Sequence, residues 1–284
     1  MGKKKYSIFI LISIFIVFAV IYHVFINSEL LENISENIKI AMYGEPIDLT
    51  TGQINNLYFG INKEGKEEAS TTKGLNNALK YANTKNIEYV KLEEGIYKIN
   101  ASVFIKSNTT LDLNQSQIQF IPNSNTSYIM INIGNASNVT ICNGRVVGDR
   151  QEHDYETIDS THEWGMGVYL KNSSNITIQN LEIQDTIGDG IYILDSQDIH
   201  IGNNRIHDVR RNGITIISGS NIQIYENEIC NINGTRPMCG IDMERNQSSQ
   251  QITNVQIFRN KLYNIEGYNM LTFQGVSNVE IYEN

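Results

Sequence analysis

The stretch that decides the fold consists of two consecutive segments of equal length, NITIQNLEIQDTIGDGIYILDSQ (Asn175–Gln197) and DIHIGNNRIHDVRRNGITIISGS (Asp198–Ser220). Each begins with a polar residue followed by isoleucines at alternate positions, has an apolar residue near its middle and then reads Gly-Ile-x-Ile. Apolar residues at every second position predict short β-strands with one buried face. Each segment therefore predicts two or three short strands joined by turns.

The same pattern recurs over most of the chain. Further copies, three of them weaker, start at Asn221, Asn254, Asn278, Tyr89, Asn108 and Asn138. A period of about two dozen residues, with no helix-length segment between the strands, is typical of a solenoid. The sequence thus predicts an all-β fold over residues 50–284: a parallel β-helix of eight coils, right-handed by the usual crossover preference. At about 4.8 Å per stacked strand, it would be a rod on the order of 40 Å long.

Asparagines recur at one position of successive coils, namely Asn204, Asn227, Asn260 and Asn284. A turn at this position needs a residue that tolerates a left-handed backbone and hydrogen-bonds to the coils above and below. We interpret this column as part of the scaffold.

The N-terminal region differs in composition from the solenoid. A basic flank, residues 1–5, precedes 21 residues, Tyr6–Ile26, that contain no Asp, Glu, Lys or Arg. A helix of that length spans about 31 Å, enough to cross a bilayer, and the basic flank predicts a cytoplasmic N-terminus. We therefore expect a membrane-anchored, single-pass protein with an extracytoplasmic β-helix, a signal-anchor at 6–26 and a stalk at 27–49. A cleaved secretory signal peptide is the alternative.

A helix is predicted just before the first coil. Ser70, Thr71 and Thr72 precede apolar residues at helical spacing, which are Leu75, Ala78, Leu79 and Ala82. This pattern is typical of an N-capped amphipathic helix. We expect it to cap the apolar end of the solenoid.

These N-terminal features resemble the entry to the pectate-lyase-like superfamily. Phe59-Gly60, the helix and YVKLEEGIY (Tyr89–Tyr97) are similar to its capping helix and first coil. The resemblance implies a right-handed parallel β-helix. It does not choose among pectate lyases, polygalacturonase-like hydrolases, uronan epimerases, phage tailspikes and noncatalytic members, because one fold carries many functions.

Charge and cysteine content set limits on partners. The net charge of −9, without a basic stripe, argues against a nucleic-acid partner. Cys142, Cys230 and Cys239 are an odd number, which excludes a full disulfide framework, although Cys230 and Cys239 could pair and leave one thiol over. None of the three has zinc-finger spacing.

The longest irregular insertion, Gly148–Gly167, is a candidate functional loop. It contains titratable and aromatic residues, namely Asp149, Arg150, His153, His162, Glu163 and Trp164. On a rigid scaffold such residues could bind sugar and transfer protons. We predict His162 and Glu163 as catalytic and the other four as substrate-binding. A solvated polar loop is the alternative interpretation.

Acidic residues next to this insertion are further catalytic candidates. Asp189 lies in Gly-Asp-Gly before a strand, which resembles the acidic strand-start motif of polygalacturonase-like glycosidases. The remaining motifs of that family are absent. Asp185 and Asp208 occupy one position in consecutive coils, so they could share acid and base roles or bind a cation. Asn231 and Asn264 stand at the same position, which favours a turn role instead.

Basic residues leave a second mechanism open. His207, Arg210 and Arg211 adjoin Asp208 and are predicted to bind substrate. In β-elimination from a uronic acid, cations neutralise the carboxylate while a base removes a proton. Two exposed arginines in a turn would be equally ordinary.

The sequence therefore predicts a surface enzyme that acts on polysaccharide, as a glycoside hydrolase or a uronan lyase. The alternative is a noncatalytic glycan-binding or structural cell-surface module. No cofactor is required, although Ca²⁺ could bind. Because the copy that begins at Asn278 stops halfway through a coil, we also expect the solenoid to continue in a longer protein.

Overall fold

The structure is a computed structural model that describes residues 31–156 and 161–284. The chain divides into two compact units between Pro46 and Ile47. Residues 31–43, in the first unit, form a helix (α1). The predicted signal-anchor at 6–26 lies outside the described residues, and no helix among those described is long and apolar enough to span a bilayer.

The second unit contains two helices and twenty short strands among its described residues. The helices are α2 (Asn56–Phe59) and α3 (Glu68–Thr84). The strands are β1 (Tyr89–Lys91), β2 (Ile96–Ile99), β3 (Val103–Phe104), β4 (Thr109–Asp112), β5 (Gln117–Phe120), β6 (Ser127–Gly134), β7 (Ser137–Val147), β8 (Trp164–Lys171), β9 (Ser174–Gln184), β10 (Ile191–Leu194), β11 (Ser196–Gly202), β12 (Arg205–His207), β13 (Ile214–Ile216), β14 (Gly219–Tyr225), β15 (Glu228–Ile232), β16 (Ile241–Met243), β17 (Ile252–Phe258), β18 (Lys261–Ile265), β19 (Met270–Thr272) and β20 (Val276–Tyr282).

These strands stack in parallel along three faces of a solenoid. Sheet 1 contains β1, β4, β7, β9, β11, β14, β17 and β20. Sheet 2 contains β2, β5, β12, β15 and β18 together with the second halves of β7 and β9, which pair on both faces. Sheet 3 contains β3, β6, β8, β10, β13, β16 and β19. The eight strands of sheet 1 confirm the prediction of a parallel β-helix whose coils start at the eight positions read from the sequence.

The apolar columns read from the sequence form the core. In sheet 1, Ile178, Ile201, Ile224 and Ile257 are in register and fully buried. Burying each such side chain contributes roughly 1.5–3 kcal/mol. The stack therefore derives its stability from contacts between neighbouring coils.

The asparagine column is hydrogen-bonded from coil to coil, and its members Asn204, Asn227 and Asn260 are buried. Asn227 Nδ2 donates to Asn260 Oδ1 at 2.9 Å and to the carbonyl of Ile201 at 2.9 Å. Asn227 Oδ1 accepts from the backbone N–H and the Nδ2 of Asn204, both at 3.0 Å. The scaffold interpretation of this column is confirmed, but the left-handed backbone expected for it is wrong. The residue with positive φ is the one before each asparagine, namely Asn203, Glu226 and Arg259.

Replacing Asn227 with Ala is expected to destabilise the solenoid by about 2–4 kcal/mol, because several buried partners lose their hydrogen bonds. Urea unfolding followed by circular dichroism measures the loss. Gln223→Ala is the matched control, since Gln223 is also an amide that bonds from coil to coil, donating to Gln256 Oε1 at 2.8 Å, but lies on the outer face of sheet 1. Equal losses in the two variants would contradict a special role for the buried column.

Helix α3 packs against the first coil as predicted, with Leu75, Ala78, Leu79 and Ala82 buried. Asn76 links the helix to the first coil by two hydrogen bonds. Its Nδ2 donates to the carbonyl of Ser102 at 2.9 Å, and its Oδ1 accepts from the N–H of Phe104 at 2.8 Å. The prediction of an N-cap at Ser70–Thr72 is wrong. The helix begins earlier, at Glu68. Thr71 and Thr72 lie within it, where their hydroxyls bond to Asn62 and Asn100.

The three cysteines are buried and free. Burial raises the pKa of the Cys142 thiol to about 11 and that of Cys239 to about 12. The pairing of Cys230 with Cys239 does not occur, and both act as small core side chains.

Candidate functional site

Buried charged and polar side chains lie close together on the outer face of sheet 3. Each of its strands β10, β13 and β16 is preceded by a glycine, at Gly190, Gly213 and Gly240. A Cβ at Gly190 would lie 2.7 Å from the carbonyl oxygen of Gly213, too close to be accommodated. The repeated glycine therefore brings the turn before each strand close to the next coil.

Asp189, in the first of these turns, forms a buried ion pair with Arg211. Arg211 Nη1 lies 2.9 Å from Oδ2 and 3.2 Å from Oδ1 of the carboxylate. Asp189 is completely buried, and burial raises its pKa, although the charge of Arg211 opposes this shift. Burial alone would lower the pKa of Arg211, but Asp189 raises it by charge and hydrogen bonding. Each residue thus compensates the burial of the other.

Asn212 connects this ion pair to a second buried carboxyl, Asp242. Its backbone N–H donates to Asp189 Oδ1 at 3.2 Å, and its Nδ2 donates to Asp242 Oδ2 at 3.1 Å. Burial, with a contribution from the charge of Glu244, raises the pKa of Asp242 to about 6. Two carboxyls therefore share one amide residue, and one of them titrates near neutral pH.

Two atoms in this cluster have no hydrogen-bond partner among the described residues. They are Nε of Arg211, a donor, and Oδ1 of Asp242, an acceptor. Buried polar atoms without a partner cost about 1–3 kcal/mol each. Because such a cost is large, an unpartnered buried group in a native protein calls for an explanation, of which a catalytic role or a bound water or ion is one.

Aromatic side chains lie near the cluster. Trp164, the first residue of β8, is 42% exposed, and the guanidinium of Arg211 lies over its ring at 5.5 Å. Tyr192 stacks on Tyr169 with ring centroids 5.5 Å apart. Burial and the charge of Asp189 raise the pKa of Tyr192 to about 12, so it remains a neutral hydrogen-bonding group. We call Trp164, Asp189, Arg211, Asn212 and Asp242 the sheet-3 site.

The insertion contains a separate buried network. Asp149 Oδ2 lies 2.7 Å from His153 Nδ1, and His153 Nε2 lies 2.9 Å from His162 Nδ1. Asp149 Oδ1 accepts from the hydroxyl of Tyr128 at 2.6 Å. If both rings are neutral, each Nδ1 donates along this chain, which leaves a bare lone pair on His162 Nε2. That atom is buried and has no partner among the described residues.

Two arginines join the insertion to later coils through hydrogen bonds. Arg210 Nη1 donates to the carbonyls of Thr161 at 2.7 Å and His162 at 3.0 Å, and its guanidinium lies over the ring of Tyr155 at 4.8 Å. Arg150 Nη2 donates to Asn233 Oδ1 at 2.5 Å. The structure gives Arg150 and Arg210 these intramolecular partners, and their predicted contact with substrate remains a prediction.

Asp185 and Asp208 lie in turns outside the sheet-3 site. Their φ angles of +55° and +53° match those of Asn231 and Asn264 at the same position, +56° and +53°. Asp185 Oδ1 accepts from Gln151 Nε2 at 2.8 Å. These observations favour the turn role.

His207 forms part of a polar cluster on the outer face of sheet 2. Its Nδ1 lies 2.5 Å from Asp208 Oδ2, and its Nε2 lies 3.0 Å from Glu182 Oε1. Arg205 binds the same Glu182 oxygen at 2.9 Å. Every polar atom of the His207 ring is thus engaged within the protein.

Three residues predicted as catalytic, Asp189, His162 and Glu163, do not all meet in one cluster. His162 bonds to His153 in the insertion, whereas Asp189 bonds to Arg211. Glu163 acts on the sheet-3 site through its charge, which contributes to the raised pKa of Arg211. The residues predicted as catalytic are therefore divided among the sheet-3 site, the insertion and the turns that contain Asp185 and Asp208.

Asp242 and Asn212 are not among the residues predicted from the sequence. Asp242 occupies the outward position of β16, in register with Thr215 of β13. Aspartate is depleted in strands. An aspartate at the x position of the repeat's Gly-Ile-x-Met strand is therefore the feature of the sequence that could have identified it. Asn212 resembled a turn residue, and only the structure shows its bonds to both carboxyls.

No group of three or more His, Cys, Asp or Glu side chains suited to a metal ion occurs within residues 31–156 and 161–284. The expectation that Ca²⁺ could bind is not tested by this observation.

A second candidate surface lies on the outer face of sheet 1. It is a groove of about 560 Å³ that includes His200, Gln223, Gln256 and Glu280. These side chains form a hydrogen-bonded row, with His200 Nδ1 3.0 Å from Gln223 Oε1 and Gln223 Nε2 2.8 Å from Gln256 Oε1. The groove is polar and lies on a different face from the sheet-3 site.

Comparison with known proteins establishes the family. The sequence model described as "Right handed beta helix region" matches residues 81–284, so the chain belongs to this family of right-handed parallel β-helix proteins. The pectate-lyase-like resemblance is thereby confirmed at the level of fold.

Two relatives come from Bacillus subtilis (strain 168). The SPbeta prophage-derived uncharacterized protein YorA is 38% identical over 148 residues, which cover 46% of this chain and 25% of YorA. The uncharacterized protein YclG is 32% identical over 152 residues, which cover 48% of this chain and 26% of YclG. The chain thus spans about a quarter of the length of these relatives.

Two solved structures show the same fold. The exopolygalacturonase of Thermotoga maritima has a TM-score of 0.55 at 14% identity, with 81% of this chain and 75% of that chain covered. The A-module of the mannuronan C-5 epimerase AlgE6 of Azotobacter vinelandii has a TM-score of 0.50 at 16% identity, with 80% and 74% covered.

Proposed function

We propose that this protein is a polysaccharide-active enzyme whose chemistry takes place at the sheet-3 site. The observation that carries the proposal is the pair of buried carboxyls, Asp189 and Asp242, that share Asn212 beside the exposed ring of Trp164. Carboxyls in distinct environments can divide acid and base roles. An exposed aromatic ring next to them provides a surface on which the apolar face of a sugar can pack.

Each residue has a role that follows from its contacts. Asp242 transfers the proton, because its pKa of about 6 lets it both donate and accept near neutral pH. Asp189 holds Arg211 in place through the buried ion pair. Asn212 positions the Asp242 carboxyl, and Trp164 binds the sugar ring.

The solved structures with this fold are named for action on polysaccharides, a polygalacturonase and a mannuronan epimerase. Their low identity limits that likeness to the fold, so the proposal depends on the site. The membrane anchor at 6–26 belongs to the same proposal, since it would hold the solenoid at an external surface where polysaccharide is the available polymer.

A noncatalytic glycan-binding module is the second candidate function. The polar groove of about 560 Å³ on sheet 1 favours it, because a row of amide and carboxylate side chains can hydrogen-bond to sugar hydroxyls without catalysing a reaction.

Trp164→Ala is expected to weaken glycan binding at least tenfold, about 1.4 kcal/mol, because the sugar loses its aromatic contact. A panel of neutral, amino and uronic-acid polysaccharides is tested by affinity electrophoresis, with new reducing ends and unsaturated uronates assayed in parallel. Phe104→Ala is the matched control, since Phe104 is a similarly exposed aromatic residue, at 47%, on another strand of sheet 3. Binding without cleavage that survives Trp164→Ala would favour the module.

A further inference from the structure

The charges around the sheet-3 site are predominantly negative. Asp189, Asp242 and Glu163 all influence the pKa of Arg211, and Glu244 acts on that of Asp242. Among these interacting groups Arg211 is the cation, and its Nη1 already binds Asp189. At an effective dielectric constant of 20, two like charges 4 Å apart repel by about 4 kcal/mol. A ligand carboxylate would therefore meet several negative charges and one cation that is already paired.

The unpartnered atoms of the site require both a donor and an acceptor. Nε of Arg211 needs an acceptor, whereas Oδ1 of Asp242 needs a donor when that carboxyl is ionised. A carboxylate only accepts hydrogen bonds and an ammonium only donates them, whereas a hydroxyl does both. Sugar hydroxyls or water could therefore satisfy both unpartnered atoms.

We propose that the sheet-3 site takes a neutral glycan, rich in hydroxyls, and rejects polymers of uronic acids. This inference rests on the proposed function and adds the chemical class of its substrate. It also selects the reaction, because β-elimination requires a uronate carboxylate that cations neutralise. The reaction is therefore hydrolysis.

The hydrolytic step uses water as its second substrate. The bond between the anomeric carbon and the glycosidic oxygen breaks, and the leaving oxygen takes a proton from the Asp242 carboxyl. Water supplies the hydroxyl that bonds to the anomeric carbon, and its remaining proton returns to the Asp242 carboxylate. No oxidant, reductant or further co-reactant is needed.

The test compares polymers that differ only in charge. The full chain is assayed for binding and for release of reducing ends on polygalacturonate and alginate, on their carboxyl-reduced forms, and on neutral plant and bacterial glycans. We expect neutral or carboxyl-reduced polymers to be bound and cleaved at least tenfold better than the uronates. Glu244→Gln removes one negative charge, and we expect it to reduce the preference for neutral polymers over uronates.

The outcomes separate this inference from the proposed function. Equal or better cleavage of the uronates, abolished by Asp242→Asn, would overturn the neutral-glycan inference and leave the enzyme in place. If no polymer is cleaved and Trp164→Ala changes no binding, both are wrong. Preferential cleavage of a neutral polymer that depends on Trp164 supports both.

Discussion

Replacing Asp242 with Asn is expected to lower kcat/KM by about 10²- to 10⁴-fold, the usual contribution of a general acid or base. The substitution preserves size, and the new amide oxygen can still accept from Asn212 Nδ2, as Asp242 Oδ2 now does at 3.1 Å. The loss would therefore come from proton transfer. Initial rates on the polymer identified by the panel measure it.

The same substitution is expected to make the protein more stable at neutral pH. The pKa of Asp242 is raised from 3.8 to about 6, so the folded protein binds more protons than the unfolded chain between these values. Stability therefore falls as pH rises through this window, and ionised Asp242 costs on the order of 1–3 kcal/mol above pH 6. Asp242→Asn removes this cost. Its melting temperature should exceed that of the wild type at pH 7.5, and the difference should vanish at pH 4.

Asp198→Asn is the matched control. Asp198 stands in the exposed asparagine column of sheet 1, where it accepts from Asn221 Nδ2 at 2.9 Å. We expect unchanged activity in this variant. A drop in activity as large as that of Asp242→Asn would indicate a general effect of charge, and an active Asp242→Asn protein would remove Asp242 from the mechanism.

Arg211→Met is expected to produce the largest loss of stability, about 3–5 kcal/mol, because it leaves Asp189 buried without its cation. Without Arg211 the pKa of Asp189 rises further, so the loss should be greater at pH 8 than at pH 5. Urea unfolding at both pH values provides the measurement.

The double variant Asp189→Asn/Arg211→Met tests the cause. It removes both charges and is expected to recover much of the lost stability, since no unpaired charge stays buried. If the two substitutions instead cause additive losses of stability, the broken ion pair is not the cause of the loss in Arg211→Met.

The fold could be predicted from the sequence because it depends on a repeated local pattern. Ile176, Ile199 and Ile222 are in register in the structure as in the alignment of the repeats. The asparagine column followed from the same periodicity. The start of α3 was misplaced because Thr71 and Thr72 bond to side chains and backbone far along the sequence, which local capping rules do not consider.

The candidate site was predictable only in part. Asp189, Arg211 and Trp164 were all selected from sequence, but as members of different groups. Their association depends on side-chain directions in neighbouring turns, which the repeat does not specify. Asp242 was missed because its importance comes from burial and from Asn212, and both of these are tertiary properties.

The most direct test of the central claim is a crystal structure of the Asp242→Asn protein with an oligosaccharide of the polymer that the wild type cleaves. We expect a sugar ring packed on Trp164, with a hydroxyl or the glycosidic oxygen within hydrogen-bonding distance of residue 242 and of Arg211 Nε. An oligosaccharide bound only in the groove of sheet 1, beside Gln223 and Gln256, with the sheet-3 site empty at saturating concentration, would contradict it.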